Sequence, residues 1–394
     1  AGLVARQEWR PVLAMLVLLS VAAVAWQTGL SFQARPSAPP TSSAGAPSQP
    51  PMPERSATPP ASGTSLHSLR LPVADAAFSR SLNRIVFVAT QQRAIVVVEP
   101  ETGGGSIISI VDFPRTVVVS PDGTLAMAVG EAVTLIDLTD LTDLSLTVHT
   151  PLVIPGNGQG SAALMGSWRE RWPRAWAYVA PAGSRAEPVR VVDFFSQRIS
   201  AAPFRIPGGG ILRVHPNGGR VYLLEGMTRT AGLRRFDVDG GRMSEAPLKS
   251  ANAPDPCGNF WISDGGNFAS TACGATFALA DDAQKDLEYL GTLPGAAERS
   301  VISLEHSEKA GRIFVITDAD ASHPKAADTL MTYEFPSLKV RSRDAFPALG
   351  SVAKPLAAAG RFVFVDASGT RLYVLLTASD GRSAVFARPL EPLE

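Results

Sequence analysis

Residues 116–140 read TVVVSPDGTLAMAVGEAVTLIDLTD. Three runs rich in apolar and β-branched residues are separated by a four-residue turn and a short Gly-Glu loop. That is the pattern of consecutive antiparallel strands. In SPDG, Ser120 suits the first turn position, Pro121 presets φ at the second, and Gly123 closes the turn. A second copy, LRVHPNGGRVYLLEGMTRTAGLRRFDVDGG (212–241), places Pro216 and Gly218 in the same roles. The two prolines lie 95 positions apart (216 − 121), two periods of the roughly 40–50 residues that one propeller blade occupies.

Weaker copies fill the intervals. AFSRSLNRIVFVATQQRAIVVVEPETG (77–103) precedes the first good unit, and NFWISDGGNFASTACGATFALA (259–280) follows the second. Residues 303–335 and 361–390 supply two more, the latter containing DASGTRLYVLL. Between the two best copies, RERWPRAWAYVAPAGSRAEPVRVVDFF (169–195) has the strand–loop–strand shape without a glycine turn at its start. Seven such units predict an all-β chain folded as a seven-bladed β-propeller over 66–394, whose blades leave only short, protected edges. LHSLRLP (66–72) is placed to supply a strand that closes the last blade against the first.

The SPDG and HPNGG units resemble the YVTN-type β-propeller repeat, with DASGTRLYVLL as a third match. The resemblance implies an exported or surface protein, most often a binding protein, with some relatives among lactonases. It carries over no catalytic residue.

Outside the repeats, the first thirty residues differ in kind. Arg6 and Arg10 precede an apolar run from Pro11 to Trp26 interrupted only by Ser20. Extended to Leu30, the run reaches the ~20 residues that cross a bilayer. The flanking arginines favour a cytoplasmic N-terminus, and Trp9 and Trp26 sit at interfacial positions. Ala23-Val24-Ala25 is equally a signal-peptidase pattern. Residues 1–30 are therefore read as a transmembrane anchor or a signal peptide, and either one exports the remainder to the periplasm or extracellular space. No cysteine follows the run, which excludes a lipoprotein anchor. Residues 31–65 are dominated by proline, serine and alanine. With almost nothing to bury, they are expected to form a disordered, extended linker.

Lysine plus arginine and aspartate plus glutamate are equal, 36 each. With no basic excess, nucleic acid is not an expected partner. The five histidines (His67, His149, His215, His306, His323) show no zinc-like spacing. His215 occupies the turn position that Ser120 fills in the sister repeat, which reads as a turn hydrogen-bonder. Asp318 and Asp320 in DADAS alternate as calcium ligands do, but lack the glycine and later glutamate of a calcium loop. No G-x-S-x-G elbow is present. The glycine-rich stretches PGNGQGS (155–161) and IPGGG (206–210) have no βαβ context and read as blade connections. No catalytic residue, cofactor or metal is assigned.

The strongest interaction candidate is SWRERWPRAWAY (167–178), where Trp168, Arg169, Arg171, Trp172 and Arg174 interleave aromatic and basic side chains. The alternative is that Trp176 opens a core strand and the other tryptophans pack a long loop. The expected function is a protein- or glycan-binding scaffold of the cell envelope, tethered to the membrane if residues 1–30 stay attached. A lactonase-like hydrolase with a site at the central channel is the alternative. The only two cysteines, Cys257 and Cys273, lie equidistant from Gly265. A hairpin turning on residues 264–266 would bring them opposite each other at disulfide range, and an oxidising compartment would keep the bond.

Overall fold

A computed structural model describes residues 63–392 except 70, 142–150, 155–158, 170–171, 184, 226–231, 247–256, 297–300, 319–326 and 352; at 159, 167–169, 172–173, 318 and 327–328 it describes backbone only. The 1–30 anchor or signal peptide, and the linker as far as residue 62, lie outside the described residues. No helix among the described residues is long and apolar enough to cross a membrane.

The chain forms a seven-bladed β-propeller. Five blades are separate four-stranded antiparallel sheets built from consecutive strands. Blade 1 runs from Ala76–Ser79 to Gly105–Ser109, blade 2 from Thr116–Val119 to Leu152–Val153, and blade 3 from Gln159–Arg169 to Arg198–Ile206. Blade 4 runs from Ile211–Val214 to Arg242–Glu245, and blade 5 from Phe260–Ile262 to Glu288–Thr292. Blade 6 (Val301–Ser307 to Val340–Ala345) and blade 7 touch through one pairing, Ala327 with Gly360. Blade 7 takes its first three strands from the C-terminal end, Ala358–Val365, Arg371–Ala378 and Ser383–Pro389. Its outermost strand is Ser65–Leu69, paired antiparallel with Ser383–Pro389. The expected closing strand is thus in place, and it joins the two ends of the described chain in one sheet.

First strands of successive blades approach one another, which sets them around the axis. Alternating apolar residues on both faces of each blade then fill the gaps between blades. Seven apolar clusters result, one for each gap. Leu125, Met127 and Leu135 of blade 2 meet Leu164, Ala177 and Val179 of blade 3, and Phe78 and Phe87 of blade 1 meet Tyr373 and Leu375 of blade 7.

The turns after the first strands recur with one geometry. The Gly123 N–H donates to Ser120 O, Gly218 to His215 O, Gly266 to Ser263 O and Gly369 to Asp366 O, at 2.8–3.1 Å. All four glycines have φ between +74° and +81°, a left-handed conformation that Cβ-bearing residues rarely adopt. These turns and those joining third to fourth strands share one face of the propeller, here called the turn face. The second-to-third and blade-to-blade connections form the loop face.

One register differs from expectation. In blade 5, Phe260 pairs with Thr271, Trp261 with Ser270 and Ile262 with Ala269, and the Ser263–Phe268 pair closes the hairpin. The turn therefore holds four residues, 264–267, rather than three centred on Gly265. The physical reason is the repeated turn, which needs its left-handed glycine at Gly266. Cys257 and Cys273 are consequently offset by one position. They are still bonded, with Cα atoms 5.7 Å apart, because the chain leaves the ladder at Gly258 (φ +65°).

Candidate interaction face

Blade 3 departs from its neighbours on the turn face. Its first two strands, Gln159–Arg169 and Trp172–Pro181, are 11 and 10 residues long, against 4 and 5 in blades 2 and 4. Pairing continues to Trp168 with Pro173 and Arg169 with Trp172. The hairpin thus runs past the level at which SPDG and HPNGG turn back. Two sequence expectations change here. PGNGQGS is not wholly a connection, since Gln159, Gly160 and Ser161 already lie in the strand. Trp176 does not open its strand, which begins at Trp172 and includes Pro173.

The candidate patch is carried by this hairpin. Trp168, Arg169 and Trp172 occupy its end, with side chains outside the description. Arg171 lies outside the described residues. Arg174 is exposed, and Trp176 is half-buried at the base, among the apolar residues between blades 3 and 4. Gly241 makes room for the indole: a Cβ there would lie 2.5 Å from Trp176 Cδ1.

At the base of the hairpin lies an open cleft of about 330 Å³, lined by Pro121, Asp122, Met165, Trp176, Asn217 and Val238 among others. Its floor is apolar and its rim is made of turns. The rim's polar groups are engaged in those turns. Asp122 Oδ1 accepts from Ser120 Oγ at 2.6 Å and from the Thr124 N–H at 3.1 Å, and Asn217 Oδ1 accepts from the Gly219 N–H at 3.0 Å.

His215 behind the rim belongs to the turn. Its Nδ1 accepts from the Asn217 N–H at 3.1 Å. Nε2 then carries the proton and donates to Gly266 O at 2.7 Å, tying blade 4 to blade 5. Burial first, then the Arg220 guanidinium beside it, hold the imidazole below its ordinary range.

Around the axis, charged groups from distant blades meet. Arg80 of blade 1 donates to Glu305 of blade 6 across 225 positions. Burial pushes the Glu305 carboxyl up, partly offset by Arg80. Asp75 accepts from the Val117 N–H at 2.9 Å, and burial raises it against the pull of Arg213 on blade 4. Arg213 donates to Phe260 O at 3.2 Å and to Asn259 Oδ1 at 3.0 Å. These contacts pair charges and tie first strands together. No group of three or more His, Cys, Asp or Glu placed to hold a metal occurs among the described residues. Asp320 and the rest of DADAS beyond Asp318 lie outside them.

Sequence reasoning missed these axial pairs, because no local motif announces partners so far apart. The unusual length of blade 3's inner strands was also missed. The polar start of the first strand, Gln-Gly-Ser, and Pro173 in the second both disguise strand continuity.

No protein-family model matches the chain, and no curated protein matches it. The resemblance to the YVTN-type repeat rests on the repeat residues alone.

Proposed function

We propose that the chain is an exported, membrane-tethered propeller that binds a protein or glycan partner through its turn face. In this reading the overlong blade 3 hairpin is the principal contact. The observation that carries it is the combination of an extended hairpin, ending in interleaved tryptophan and arginine, with an apolar-floored cleft at its base. Aromatic and arginine side chains dominate binding energetics where they are desolvated against a partner. A paired hairpin presents them at less conformational cost than a free loop. The disulfide and the apolar run at 11–26 support export, since such bonds persist in oxidising compartments. The repeat turns support kinship with the YVTN-type family.

The test is affinity capture from native membranes with the wild-type chain and a Trp168→Ala/Trp172→Ala variant. Circular dichroism and thermal unfolding are expected to match, because both residues stand at the end of the hairpin, past the level at which the neighbouring blades turn back, while the retained partner falls by an order of magnitude or more. Equal recovery by the two proteins would remove the hairpin from the interface.

A further inference from the structure

Away from the hairpin, the facing surfaces of blades 6 and 7 hold polar groups that satisfy no partner. In blade 6, Arg312 begins the second strand and stands directly opposite Glu334 on the third. Thr332 faces Ser342 on the fourth. Directly opposed residues share a face of the sheet, as do residues two apart. Arg312, Phe314, Thr332, Glu334, Ser342 and Asp344 therefore look to the same side. That side is toward blade 7, because Phe314 packs in the cluster with Leu372 and Val374. From blade 7, Arg388 reaches back and donates from Nη2 to Asp344 Oδ2 at 3.0 Å. Arg341 stands beside Glu334 (3.9 Å) and Glu391 (3.2 Å).

Arg312 is only 4% exposed, and its Nε and Nη2 find no acceptor. The two N–H bonds point along one edge of the guanidinium, the edge that grips two oxygens of an oxyanion side by side. Thr332 Oγ1, 3% exposed, and Arg388 Nε are also buried without a partner. Leaving a buried charged donor unsatisfied costs more than leaving a neutral one, and here four polar atoms are left so on surfaces that face each other. Burial first, then Arg341 and Arg388, push Arg312 below its ordinary range against the opposite pull of Glu391 and Glu334. The counter-charges are unequal in placement. Three carboxylates stand with the three guanidiniums: Asp344 accepts from Arg388, and the more exposed Glu391 and Glu334 flank Arg341.

We propose that Arg312, Arg341, Arg388 and Thr332 form a binding site for a tetrahedral oxyanion, phosphate or sulfate, between blades 6 and 7. Arg312 grips two oxygens through Nε and Nη2, Thr332 donates its hydroxyl, Arg388 donates from Nε, and Arg341 supplies charge from the rim. The anion satisfies the stranded donors and joins the last two blades next to the ring closure.

The test is isothermal titration of the purified full chain with sodium phosphate, sodium sulfate and sodium chloride at matched ionic strength. One saturable site for phosphate or sulfate, with no saturable heat for chloride, is expected. Arg341→Gln and Thr332→Val are expected to weaken the tetrahedral anion roughly tenfold or more, the effect of losing a charge-assisted or buried donor. Arg312→Lys keeps the charge and removes the fork, and should weaken it similarly. Because Arg312 is buried, the two other variants decide the outcome if that protein fails to fold. Methyl phosphate and methyl sulfate separate two sources: binding as tight as the inorganic ion assigns the site to an esterified group, and much weaker binding assigns it to the free ion. No saturation at concentrations on the order of 10 mM, or wild-type affinity in Arg341→Gln and Thr332→Val, would overturn the proposal.

Discussion

Acidification tests the packing of the blade 5–blade 6 gap through one residue, His306. Its ring lies 5.2 Å from the Phe268 ring and 4.4 Å from the Phe335 ring, and it is 2% exposed. Neither ring nitrogen has a hydrogen-bond partner. Burial pushes the imidazole down from 6.5 to about 4, although Glu308 and Asp264 nearby pull in the opposite direction. The sign follows directly. The folded state holds His306 neutral, while the unfolded chain takes up a proton below its ordinary value, so stability is lost as pH falls below 6.5 and the loss levels off near 4. The full difference, 6.5 − 4 = 2.5, corresponds to about 3.4 kcal/mol at about 1.36 kcal/mol each. By pH 5 the same two values give a loss of about 2 kcal/mol. Other groups also titrate in this window, so the measurement is a difference. Urea unfolding of the wild-type chain and His306→Phe at pH 7.5, 6 and 5 should show a steeper loss in the wild type, by about 2 kcal/mol at pH 5. Phenylalanine keeps the aromatic stack and cannot titrate. Parallel pH dependence in the two proteins would refute the assignment of a neutral, unpartnered imidazole.

Two further outcomes follow from the geometry. Thiol titration of the native chain should find no free thiol before reduction and two after it, and reduction should cost up to about 3 kcal/mol, the value for closing a ~15-residue loop; two free thiols in the native chain would contradict the bond. Gly241→Ala should destabilise by about 1–2 kcal/mol from its φ of +83° alone, with a further loss as Trp176 is displaced, read by thermal unfolding and tryptophan fluorescence; an unchanged transition would contradict that contact.

The repeat, the number of blades and the closing strand were legible from the amino-acid order alone. These depend on properties carried within a few residues: the φ > 0 demand of a turn glycine such as Gly123, the preset φ of Pro121, and alternation with period two in runs such as LAMAV. The cysteine pair was legible for the same reason, since both cysteines flank one hairpin. Even there the register required the three-dimensional turn, because the choice between Gly265 and Gly266 as the left-handed position is not made by composition.

Tertiary structure alone decided which distant residues meet. Arg80 finds Glu305 only because the ring closes around an axis. Arg312 and Arg388 share a gap only because blades 6 and 7 stack with a particular register. His306 differs from His215 in chemistry although both stand at or beside a repeat turn. One is hydrogen-bonded into a turn and to the next blade, and the other is enclosed between two phenylalanine rings. A side chain's surroundings in a propeller come from the neighbouring blades, tens to hundreds of positions away, and local preference carries no record of them.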